Sequence, residues 1–104
     1  MDSMRFKFIC QQVDDLIAKY ITGHHGLRCT ALSSTDESYL ISYVSECTEF
    51  TLNSSQKNSF IEKLNILSLK FSSESLSYNM IRALIDTLNL HEQESTKENM
   101  HSFA

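Results

Sequence analysis

Hydrophobic residues recur along this chain at three- and four-residue steps, broken by short polar runs, and the pattern predicts four helices. In the first, roughly Met4 to Ile21, Phe6, Ile9, Val13, Leu16, Ile17 and Tyr20 share one stripe. Gln11, Gln12, Asp14, Asp15 and Lys19 fall mostly off it. Thr22-Gly23 ends the stripe, and Gly23 stands where a left-handed residue can close a helix. "LRCTAL", within Leu27 to Ser34, fits either a short extended connector or a helical turn. Ser34 precedes Glu37 by the three-residue step of a capping box. A second helix follows, roughly Asp36 to Phe50, with Leu40, Tyr43, Val44 and Cys47 as its stripe and Tyr39 and Ile41 beside it.

Asn53 or Ser54 can cap a third helix, about Ser54 to Phe71. Phe60, Ile61, Leu64, Leu67 and Phe71 line one face, and Ile66 and Leu69 widen it. A helix apolar around much of its circumference is central or shared with a partner. "SSESLS" breaks the pattern, and a fourth helix runs from about Glu74 to Leu90, with Met80, Ile81, Leu84, Ile85 and Leu88 inward. Serine costs a helix only a fraction of a kcal/mol, so the pattern leaves open whether the last two helices are separate. Beyond Leu90 the aliphatics stop. The expected organisation is one helical domain over 1–90 and a polar, disordered tail over 91–104. The expected core is Ile9, Val13, Leu40, Val44, Leu64, Leu67, Ile81 and Leu84.

Composition supports helices and narrows the function. Proline is absent and there are only two glycines, so Ser, Thr, Asn and Asp must make the turns and caps. At 104 residues the chain can hold one modest core, and association with a second copy is a natural way to bury more surface. Nine Lys and Arg against thirteen Asp and Glu, a net charge of −4, argue against a strong stand-alone nucleic-acid binder. No segment is apolar enough to span a membrane, and "MDSMRFKFICQQVDD" meets Asp14 and Asp15 too soon for a secretory signal. Three cysteines, Cys10, Cys29 and Cys47, widely spaced and odd in number, point to reduced thiols in the cytoplasm.

Candidate chemistry is sparse. "GHHG" brings His24 and His25 near Cys29, but adjacent imidazoles point apart and no paired ligand module is present, so a hinge is the better reading. A phosphotransfer histidine needs an exposed mid-helix position. His24 and His25 lie in a turn, and His91 and His101 lie at or beyond the last helix. There is no G-x-S-x-G elbow and no glycine-rich phosphate loop. The carboxylate pairs Asp14-Asp15 and Asp36-Glu37 read as a solvated face and a helix N-terminus. Arg5, Lys7, Lys57, Lys63 and Lys70 could gather only a weak basic patch. No cofactor, metal or catalytic residue is expected. The apolar surplus of the last two helices instead predicts a homodimer, with Phe60, Ile66, Leu69, Phe71, Met80 and Leu88 as its candidate interface.

From about Leu40 to Leu88, "LISYVSECTEFTLNSSQKNSFIEKLNILSLKFSSESLSYNMIRALIDTL" carries an ordered series of features. An aliphatic helix leads to an Asn/Ser turn, and Lys57-Asn58 opens a helix bearing Phe60-Ile61, Leu64 and Leu67. A Ser-rich acidic break follows, then Leu76, Ile81-Arg82, Ile85 and Leu88. This order resembles the small enterobacterial biofilm and acid-resistance regulators of the YmgB/AriR type, also described as two-component-system connectors. The chain has Leu40-Ile41 where that family often has Leu-Gly, and no glycine in "EFTLN". The resemblance implies an all-α, dimeric regulator without enzymatic activity, acting on a regulatory protein in stress or biofilm signalling. Direct DNA binding is the alternative role it implies.

Overall fold

The computed structural model describes residues 2–22, 31–50 and 52–101, with side chains to residue 20 in the first span and to residue 90 in the last. The described residues form a small all-α domain of four helices: α1 (Ser3–Thr22), α2 (Ser34–Glu49), α3 (Ser54–Ser68) and α4 (Leu76–His101).

Local chemistry sets the helix ends. Asn53 caps α3 with a complete capping box. Its side chain accepts the Gln56 N–H at 2.8 Å, while the Gln56 side chain accepts the Asn53 N–H at 3.1 Å. The cap of α2 is Ser33, one residue before the expected Ser34, and its hydroxyl accepts the Asp36 N–H at 3.1 Å. Residues 31–33 are non-helical, while Gly23, His24, His25 and Cys29 lie outside the described residues. α3 stops at Ser68, so Phe71 stands beyond it rather than within it. A serine turn then separates α3 from α4: Ser75 donates its N–H to the Ser72 carbonyl at 2.9 Å, and its hydroxyl accepts the Tyr78 N–H at 3.0 Å. α4 continues to His101, past Leu90 where the aliphatics end. Residues 91–101 contain neither proline nor glycine, so nothing in them breaks a helix.

Each helix touches two others. α3 packs against α4 and α1, and α2 packs against α4 and α1. The order around the bundle is therefore α1, α3, α4, α2, with α2 and α3 diagonal to each other. The chain crosses that diagonal in the short connection between Phe50 and Asn53, both of which have extended backbone.

The core draws on all four helices: Ile9, Val13 and Leu16 from α1, Leu40, Val44 and Cys47 from α2, Phe60, Leu64 and Leu67 from α3, and Ile81, Ile85 and Leu88 from α4. Leu32 and Phe71 join it from outside the helices. Of the eight expected core residues only Leu84 differs: it is half-buried, packed against the edge of the core, and Ile85 takes the inward position. Ile81, Ile85 and Leu88 follow a four-then-three step on one face, which leaves Leu84 at the rim. No buried side-chain nitrogen or oxygen among the described residues lacks a hydrogen-bond partner. No helix among them is long and apolar enough to cross a membrane.

Candidate interaction surface

α1 and α2 lie side by side with a register that can be read from their contacts. Arg5 meets Glu46, Phe8 meets Tyr43, and Lys19 meets Asp36. Residue numbers rise along α1 as they fall along α2, so the pair is antiparallel. The facing positions recur at steps of three and four, Arg5, Phe8, Gln12, Asp15 and Lys19 on one side and Asp36, Tyr39, Tyr43 and Glu46 on the other.

Both ends of the seam are charged. The Arg5 guanidinium grips Glu46 as a fork, Nε to Oε2 at 2.5 Å and Nη2 to Oε1 at 2.9 Å. The hydrogen bond raises the Arg5 pKa and holds the Glu46 carboxyl below its usual range. At the other end, Lys19 Nζ and the Tyr20 hydroxyl both donate to Asp36 Oδ2 at 2.7 Å. The Tyr20 oxygen also accepts the Ser33 N–H at 3.0 Å, locking the α2 cap to α1. Burial pushes the Asp36 pKa up, but the hydrogen bonds from Lys19, Tyr20 and Ser33 outweigh it and the carboxyl titrates below its ordinary value. Lys19 is raised by the same hydrogen bond to Asp36.

Between these ends lies an open groove of about 490 Å³ whose floor includes Leu16. Its walls are aromatic. Phe8 meets Tyr43 edge-on at 6.3 Å, and Tyr43 stacks with Tyr39 at 6.3 Å and 14°. Phe8 is 45% exposed and Tyr39 56%. Arg5 also lies over the Phe8 ring, 5.0 Å from its centroid.

The residues expected at a dimer interface divide. Phe60, Phe71 and Leu88 are buried in the monomer's own core, so their assignment to an interface is corrected. α3 packs on both α1 and α4, which covers two of its faces within one chain, and Phe71 tucks against Tyr20 at a ring separation of 5.3 Å. Met80 is half-buried against the core. Ile66 and Leu69, the two off the main stripe, remain at the surface.

The weak basic patch loses three of its five members. Arg5 is held on Glu46, Lys63 donates to Asp14 at 2.8 Å, and Lys57 is buried. Among the described residues no group of three His, Cys, Asp or Glu could hold a metal ion. Cys10 and Cys47 are free thiols, and burial raises both, Cys47 to about 12, which suppresses the nucleophilic thiolate.

Sequence reasoning set Tyr39 beside the α2 stripe, left Phe8 off the α1 stripe and took Asp15 as solvated. The available signal was the row of off-stripe residues, Phe8 and Tyr39 among them, but one helix does not reveal which neighbour such a row will face. Comparison with family models, curated proteins and solved structures finds no match to this chain.

Proposed function

We propose that this protein is a non-enzymatic adaptor that binds another regulatory protein through the α1–α2 groove. The observation that carries the reading is the aromatic wall in which exposed Phe8 and Tyr39 flank half-buried Tyr43. Aromatic residues supply large, rigid contact area and are enriched in protein interfaces. The raised Cys10 and Cys47 thiols fit a role without cysteine nucleophiles at those two positions. Reduced cysteines suit a cytoplasmic setting. The likeness of Leu40 to Leu88 to the YmgB/AriR-type regulators extends the proposal to bacterial stress or biofilm signalling. Self-association through Ile66 and Leu69 belongs to the same reading, because Ile66 in α3 and Leu69 at its C-cap are both exposed, three residues apart.

The test is photo-crosslinking in living cells with a photoreactive residue in place of Tyr39, followed by mass spectrometry. One partner protein should be captured, and moving the reactive group to exposed Glu62 on α3, diagonally across from α2, should lose that partner and capture at most a second copy of this chain, since Glu62 stands one turn from Ile66. Capture of nucleic acid alone, or equal capture from both positions, refutes the reading.

A further inference from the structure

The groove between α1 and α2 has a chemical bias. Two carboxylates line it, Asp15 and Asp36, against one ammonium, Lys19. Lys19 is already committed to Asp36. Asp15 has a single hydrogen-bond partner among the described residues, the Gln11 amide on Oδ1 at 2.9 Å. Beside it stand the rings of Phe8, Tyr39 and Tyr43, whose faces carry negative potential. The chain itself places cations on aromatic faces along this seam. The Arg5 guanidinium lies over Phe8, and the Lys19 ammonium lies 5.6 Å from the Tyr20 centroid. Tyr39, the most exposed of the three rings in the groove, carries no such cation among the described residues.

We propose that the groove receives an arginine-bearing basic segment of a partner protein. The arginine stem lies along Leu16, its guanidinium stacks on Tyr39, and its N–H groups donate to Asp15. Arginine fits better than lysine, because its planar fork both stacks on a ring and pairs with a carboxylate. A phosphate backbone is disfavoured by the same carboxylates. The net charge of −4 on the whole chain steers a basic segment toward it. This inference rests on the α1–α2 groove being the adaptor surface.

The test titrates the isotopically labelled full chain with a short arginine-rich peptide and with its citrulline twin, which keeps the shape and removes the charge. Amide resonances of Phe8, Asp15, Tyr39 and Tyr43 should shift with the arginine peptide, and the citrulline twin should bind at least about tenfold more weakly. Asp15→Asn and Tyr39→Leu should each weaken binding about threefold to fivefold, with unchanged helical circular dichroism. Equal binding of the two peptides, or shifts centred on Glu62 and Glu74 rather than on the groove, overturns the inference. If the peptide fails while the Tyr39 crosslink in cells stands, the groove takes an uncharged segment and this inference alone falls. If the crosslink is also lost, the adaptor reading falls with it.

Discussion

The Leu32 backbone N–H donates to the Ser77 hydroxyl at 2.8 Å, a buried bond that joins the entrance of α2 to the first turn of α4. Forty-five residues separate the two in sequence. The bond holds the starts of two helices together where a loop amide would otherwise be buried without a partner. Ser77→Ala removes the acceptor and strands that amide, so it should cost about 1–3 kcal/mol in urea denaturation. Ser75→Ala, which removes an acceptor near the α4 N-terminus in a less buried place, should cost less.

Two leucine-sized positions on α3 separate core from surface. Leu64 is fully buried and Ile66 is 41% exposed. Leu64→Ala should destabilise by about 2–5 kcal/mol, as a cavity left in a packed core does. Ile66→Ala should stay within about 0.5 kcal/mol if the protein is measured as a monomer. Thermal and chemical unfolding of the pair checks both values.

Acid should release the Asp36 clamp. Its folded pKa lies below the ordinary 3.8, so the unfolded chain binds the proton more readily than the folded one. The stabilisation is therefore complete above about pH 4 and is lost as pH falls through the lower folded value. The unfolding midpoint should drop in that window. Asp36→Asn, which keeps the shape and one acceptor oxygen, should lower stability at neutral pH and flatten the acid response. A variant whose acid profile matches the unmodified chain would assign the response to other carboxylates, Glu46 foremost among them.

Self-association should depend on Ile66 and Leu69 together. The double change of both to Glu should leave a folded monomer, read by light scattering and circular dichroism. An unmodified chain that is monomeric at high micromolar concentration removes the dimer from the proposal.

The four helices were legible because each carries its own evidence: Ile9, Val13 and Leu16 on one stripe, and Asn53 with Gln56 at one cap. What lies between helices was not. Counting apolar residues on α3 overstated its free surface, because the sequence does not show that α1 and α4 each cover a face of it. Phe60 went inward for that reason. The groove was invisible for a related reason: Phe8 and Tyr43 are thirty-five positions apart, and only the antiparallel register of α1 and α2 makes them neighbours. Tyr20 likewise read as part of the α1 stripe and Lys19 as off it, with nothing to show that Asp36 stands opposite both.

The diagonal crossing between Phe50 and Asn53 shapes how the chain is made. The two hairpins, α1 with α2 and α3 with α4, lie face to face, since α1 rests on α3 and α2 rests on α4. As the chain leaves the ribosome, the first hairpin emerges with the inward sides of Ile9, Val13, Leu40 and Val44 uncovered, and their cover has yet to be synthesised. The core therefore closes only once α3 and α4 have been made, and each hairpin, divided at the crossing, carries the surface that the other lacks.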